Sequence, residues 1–282
     1  RGYLMAEKIT RWQKFKKFLK RNMTPTWAKH FSYQVISFIL SVCLVIGVTV
    51  YAVNKSYDER TLSFVQGFTI TAHTGAFDTP ENSIESIQAS IDNNVEIIEV
   101  DVRQRPDKTL VISHDIVVMN NEGTPLADVF ELLQEDDCLI NLDIKETRTL
   151  NALHDMLIEY NLLGRAFLTG IDQLNVNAVK ESACADMDYY LNCQPSRIKI
   201  FTEDYKVKII DMLEETGAIG INCNYKYACA TLSNLLHEHG YKLSVWTVNT
   251  KFDMKRMLVT KPDNITTKEY DKLMSVIDNW GK

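Results

Sequence analysis

From Phe68 to the C-terminal end, the chain alternates between two periodicities. Short β-branched or apolar runs at Phe68–His73, Val95–Val102, Cys138–Lys145, Arg165–Thr169, Asp188–Cys193, Ala218–Cys223, Lys242–Val248 and Asn264–Thr267 read as strands. Helix-patterned runs follow at Ser83–Asp92, Pro125–Leu133, Thr149–Tyr160, Ile171–Glu181, Glu203–Glu215, Thr231–His239, Lys251–Val259 and Lys268–Asn279. Strand–helix alternation repeated eight times over about 215 residues predicts an α/β fold, a (β/α)8 TIM barrel. Leu110–Ser113 is an extra hairpin partner for the second strand. The punctuation agrees: Thr124-Pro125 suits a helix start, and Gly217 and Gly240 follow helix ends.

Such a barrel gathers functional groups at the C-terminal ends of its strands. His73, Glu99, Asp101, His114, Asp143, Lys145 and Trp246 all fall at or near such ends. Glu99 and Asp101, two apart on one strand, point the same way. Their oxygens can share one divalent cation, and hard cations such as Mg²⁺ and Ca²⁺ take carboxylate oxygens. Without a cation the two charges would repel. Taken singly, each residue also has a plainer reading: a solvated acidic strand end, a surface histidine, a core tryptophan. Their joint placement favours a metal-assisted hydrolase site, with two histidines that titrate close to neutral pH.

The constellation resembles the glycerophosphodiester phosphodiesterase family, part of the phosphatidylinositol-phospholipase-C-like barrels. The motifs are His73-Thr74-Gly75, Pro80-Glu81-Asn82-Ser83, Glu99-Val100-Asp101 and His114-Asp115, supported by Asn141-Leu142-Asp143-Ile144-Lys145 and Ser244-Val245-Trp246-Thr247-Val248-Asn249. The resemblance runs from about Phe68 to Tyr270. It implies hydrolysis of a glycerophosphodiester to glycerol phosphate and an alcohol. His73 and His114 would then be catalytic, as base and acid. Glu99, Asp101 and Asp143 would hold a divalent metal, Mg²⁺ or Ca²⁺. Lys145, Trp246, Glu81 and Asn82 would contact or support the substrate and metal edge. Three departures stand out. Thr74 replaces the family's phosphate-binding arginine, for which Arg103 and Arg105 are candidate substitutes. Asp143 replaces a glutamate. The Thr124-Pro125 helix start comes only nine positions after Asp115, which implies a small lid and an open site.

The N-terminal part differs in character. Phe31–Val53 is a run of 23 residues without a charge, about 35 Å as a helix, long enough to cross a bilayer. Trp27, Tyr33, Tyr51 and Tyr57 flank its ends, as interfacial aromatics do. Nine of the 31 basic residues but one of the 37 acidic ones lie in residues 1–53, leaving 22 basic against 36 acidic residues thereafter, a net of −14. An acidic domain of that kind argues against nucleic acid as a partner. The organisation expected is a basic cytoplasmic segment (1–30), a transmembrane helix (31–53), a linker (54–67) and the phosphodiesterase barrel (68–282). The basic excess before the span places the barrel outside the cell membrane. Arg11–Met23 reads as a basic amphipathic helix suited to a membrane surface or, equally, as a solvated tail. Cys138, Cys184, Cys193, Cys223 and Cys229 show no metal spacing and are expected mostly as buried free thiols. Two alternative functions stay open: a lipid-directed phosphodiesterase acting on membrane head groups, like a phospholipase D or a phosphatidylinositol-type lipase, and a non-catalytic phosphodiester-binding barrel.

Overall fold

A computed structural model describes residues 10–22 and 24–282. The first nine residues of the basic segment, and Met23 at the end of the expected amphipathic helix, lie outside the described residues. The described residues fall into two compact units, one up to Ser56 and one from Tyr57 to Lys282.

In the first unit, α1 (Arg11–Asn22) carries Trp12, Phe15 and Phe18 exposed among its lysines. The helix α2 (Pro25–Asp58) buries none of its residues, and its apolar stretch has a mean hydropathy of 2.5. A helix this long and apolar, with no protein covering it, is a candidate membrane span; a signal sequence has the same pattern.

In the second unit, eight parallel strands close on themselves: β1 (Thr69–Ala72), β2 (Ile97–Gln104), β5 (Leu139–Ile144), β6 (Ala166–Ile171), β7 (Tyr189–Asn192), β8 (Gly220–Asn224), β9 (Lys242–Trp246) and β10 (Asn264–Thr267). Closure comes from β1, which pairs with β10 on one side and β2 on the other. The helices α3 (Ile84–Asp92), α4 (Leu126–Leu133), α5 (Leu150–Glu159), α6 (Val176–Lys180), α7 (Glu203–Thr216), α8 (Ala230–Glu238), α9 (Lys251–Thr260) and α10 (Tyr270–Asp278) follow their strands in turn. The eight-stranded barrel and the hairpin partner β3 (Leu110–Ile112) match the reading of the sequence.

One local expectation holds with a difference and one fails. Thr124-Pro125 leads into α4 as expected, with Pro125 at the N-cap, but without a capping bond from the Thr124 hydroxyl. It forms a short antiparallel strand, β4, against Val111 and Ile112, and the Thr124 hydroxyl donates to the Asn82 carbonyl. The helix expected from Ile171 begins only at Val176. β6 runs on to Ile171 past an irregularity in its pairing with β7, and the Asp172 carboxylate then accepts N–H bonds from Leu174 and Asn175 in a turn.

Strand alternation explains where the core lies. Ile98, Val100 and Val102 on β2, with Ile140, Leu142 and Ile144 on β5, are buried within the apolar core that the helices complete. Each such side chain contributes about 1.5–3 kcal/mol. The opposite face lines the barrel, and much of it is polar. Thr71 donates to Asn264 (2.8 Å), whose amide donates in turn to Ser244 (3.1 Å) and Thr266 (3.2 Å). Buried polar groups are tolerated there because they satisfy one another.

Candidate active site

The C-terminal ends of the strands surround a polar cleft of about 620 Å³. Its wall includes His73, Glu81, Glu99, Asp101, His114, Asp143, Lys145 and Trp246, each predicted from sequence. Asn141, Asn192, Asn222, Asn249 and Lys268 also line it and were not predicted.

The carboxylates owe their convergence to register. Glu99 and Asp101 share the inner face of β2, and Asp101 lies directly across from Asp143 on β5. Oxygens of the three approach within 4.8 Å of one another. Glu99, 4% exposed, is held well above the usual carboxylate range, by burial first and then by Asp101 and Asp143. Asp101 goes the other way. Burial would raise it, but the Lys145 ammonium and the hydrogen bonds from Lys145 and Asn82 outweigh burial. Lys145 Nζ sits 2.8 Å from Asp101 and also contacts Asp143. Burial would lower its pKa, yet the two carboxylates raise it. Three hard oxygen donors with excess negative charge fit a divalent cation.

Asn82 does not line the cleft. Its side chain donates to Asp101 Oδ2 (2.8 Å), and its backbone N–H donates to the Thr74 hydroxyl, so it fixes a carboxylate from behind. Thr74 is itself buried, 3% exposed, and its N–H donates to Glu99 Oε2 at 2.9 Å. The guanidinium missing at position 74 is not replaced by Arg103 or Arg105. Arg103 donates twice to the His114 carbonyl (3.0 and 2.9 Å) and once to Glu146 (2.9 Å). Arg105 donates to the carbonyls of Glu122 and Gly123. The cation lining this side of the cleft is Lys268, just after β10, which pairs with Glu81. No motif spacing flags it; only closure of the barrel brings it beside β1.

His73 is mostly buried, and burial holds it below the ordinary histidine value despite the bond to Thr74 and the nearby Asp101. Its Nδ1 lies 3.0 Å from the Thr74 carbonyl, which can only accept, so the neutral ring carries its proton there. His114 is exposed at the lip, with Nδ1 3.1 Å from Asp115. Trp246 lines the cleft, and its buried indole N–H has no protein partner among the described residues. Gly170 adopts φ +77°, and a Cβ there would collide with Asp143 and the backbone of Ile144.

Residues 73–185 match the model of the glycerophosphoryl diester phosphodiesterase family. A glycerophosphodiester phosphodiesterase from Caldanaerobacter subterraneus subsp. tengcongensis is 25% identical over 249 positions, covering 75% of this chain and 98% of the relative. Among solved structures, an Oleispira antarctica phosphodiesterase in complex with the product sn-glycerol-3-phosphate superimposes with a TM-score of 0.59 at 19% identity, covering 75% of this chain and 97% of the other. A glycerophosphodiester phosphodiesterase from Thermotoga maritima gives a TM-score of 0.55 at 17% identity, covering 74% and 98% respectively. The motifs at the strand ends, the closed barrel and these likenesses agree: residues 73–185 match the glycerophosphoryl diester phosphodiesterase family model, and the chain as a whole is similar to glycerophosphodiester phosphodiesterases.

Proposed function

We propose that the barrel hydrolyses glycerophosphodiesters to glycerol phosphate and an alcohol, with a hard divalent cation, Mg²⁺ or Ca²⁺, held by Glu99, Asp101 and Asp143. The observation that carries this reading is the carboxylate cluster beside His73, whose Nδ1 lies 3.8 Å from Glu99 Oε2, in one polar cleft. When bound, the cation supplies positive charge next to the phosphoryl oxygens, where charge builds up during displacement. Lys145 and Lys268 add two more cations on the same wall. His73, with Nδ1–H held by Thr74, offers Nε2 as the base that removes the proton of the attacking oxygen. His114 donates a proton to the departing alcohol, and Arg103 positions it through its carbonyl. Trp246 forms the wall against the alcohol group, Glu81 holds Lys268 in place, and Asn82 orients Asp101. The unit that binds the substrate is residues 68–282. Phe31–Val53 is a membrane anchor with the basic N-terminal segment in the cytoplasm and the barrel outside.

The test uses the full chain with glycerophosphocholine, glycerophosphoethanolamine or glycerophosphoinositol, each with Mg²⁺, Ca²⁺ or EDTA. Release of glycerol phosphate that EDTA abolishes, and that Glu99→Ala and His114→Ala both lose, is the expected result. Absence of turnover with every metal, in a protein that still binds the cation, would leave a barrel that binds phosphodiesters without cutting them.

A further inference from the structure

The most exposed large apolar side chains of the barrel unit are not scattered. Leu174 is 90% exposed, Ile198 84% and Ile116 72%, with Phe201 and Val118 next; no other large apolar residue in 57–282 exceeds 56%. Together with Met119, all these leave the strand ends that carry the cleft: Ile116, Val118 and Met119 after β3, Leu174 after β6, Ile198 and Phe201 after β7. The strands β2 (which pairs with β3), β5, β6 and β7 are consecutive neighbours. One half of the rim is therefore apolar. Among the described residues, the loops after β8, β9, β10 and β1 expose no large apolar side chain.

These side chains are held outward by their loops. Val117 is buried, so Ile116 and Val118 on either side of it face solvent. Glu122 accepts the N–H groups of Val118 and Met119, and Arg105 clamps the carbonyls of Glu122 and Gly123. In the loop after β7, Ile200 is buried, whereas Arg197, Ile198, Lys199 and Phe201 are exposed. Residues 193–202 contain no acid, and neither Arg197 nor Lys199 is paired with a carboxylate among the described residues. Asp115 is the one exposed acid in the loops after β3, β6 and β7; beyond them Glu203, paired with Lys206, and Asp204 open α7, in a unit that is acidic as a whole.

Exposed apolar tips interleaved with unpaired cations are what an anionic lipid surface takes: the apolar tips enter the interface and the cations meet phosphates. The same chain carries a candidate span, joined to β1 by residues 59–68 alone. We propose that this half of the rim is a membrane-docking surface for a bilayer containing anionic lipid, seated through Ile116, Val118, Leu174, Ile198 and Phe201 with Arg197 and Lys199. That the docked cleft then meets phosphodiester head groups rests on the proposed activity; docking itself does not.

The test reconstitutes the full chain in nanodiscs of phosphatidylcholine, with or without about one-third phosphatidylglycerol, and follows amide exchange. Exchange in 114–120, 172–176 and 195–202 is expected to slow by about tenfold in the anionic discs relative to the neutral ones. The triple variant Leu174→Asp, Ile198→Asp, Phe201→Asp should lose that difference, with unchanged exchange in β9 reporting that it is folded. Equal loop exchange in both discs overturns the proposal. So does slowing that the variant retains, or slowing in detergent that grows with protein concentration, which would make a second copy the occupant. Glycerophosphocholine turnover on the same samples separates the two readings: slowing without turnover keeps the docking surface and removes the activity, and turnover without slowing does the reverse.

Discussion

At position 74 a hydroxyl stands where the family resemblance calls for a guanidinium, and its partners explain what it does instead. Thr74 accepts the Asn82 N–H, while its own N–H and carbonyl hold Glu99 and His73. Thr74→Val keeps the shape but leaves the Asn82 N–H unpaired, at a cost of about 1–3 kcal/mol in stability, measurable by denaturant unfolding. Lys268→Met, by contrast, removes a cation from the cleft wall. It should raise KM for a glycerophosphodiester by about tenfold with little loss of fold. Glu99 supplies a third test. Because burial and its two acidic neighbours favour its protonated form, a cation must displace that proton. Cation affinity should therefore rise with pH, and calorimetry in buffers of different ionisation heat should show proton release. Residue types at strand ends made Glu99, Asp101, Asp143 and both histidines legible in the sequence. Lys268 was not legible, because a lysine after a strand is ordinary until the barrel closes. Arg103 was misread for the same reason: its target, the His114 carbonyl, comes from the far strand of a hairpin.

Elements place these residues through register more than through sequence distance. The Asp101–Asp143 pairing follows from six consecutive parallel pairs between β2 and β5. Two glycines guard the spacing. A Cβ at Gly170 would strike Asp143 and the Ile144 backbone, and one at Gly220 would strike the Lys242 backbone. Gly170→Ala should reduce cation affinity more than stability, because it displaces Asp143, one of the proposed ligands. Gly220→Ala should do the opposite, because it pries β8 from β9; titration calorimetry and thermal unfolding of the two proteins distinguish them. Strand positions were readable from short β-branched runs, since each needs only a local pattern. The start of α6 was not, because the Asp172 turn and the extension of β6 past Gly170 depend on pairing with β7. The role of Thr124-Pro125 was likewise decided by β3, which recruited it as a strand.

Across the whole molecule, burial also sets how stability responds to pH. Burial pushes the thiols of Cys138 and Cys193 up to about 12 and that of Cys184 to about 11, with Asp136 assisting at Cys138. An unfolded chain ionises these thiols near pH 8.5, so above that value the unfolded state has lost protons that the folded state keeps. Stability is thus whole below about pH 8.5 and falls as pH rises from there towards 11, a trend that urea unfolding across this range would reveal and Cys→Ala replacement would flatten. Buried free thiols were expected for most of the five cysteines after the candidate span; all five are free, with Cys138, Cys184 and Cys223 buried and Cys193 and Cys229 half-buried. The barrel's two halves carry unequal burdens. Every carboxylate and histidine of the cleft comes before Gly170, within the stretch that matches the family model, whereas the later strands contribute asparagines, Trp246 and Lys268. Under the proposed function, reaction and selectivity are then written in separate lengths of chain, and a lineage could revise which alcohol it accepts by altering the second half while the machinery of cleavage is inherited unchanged.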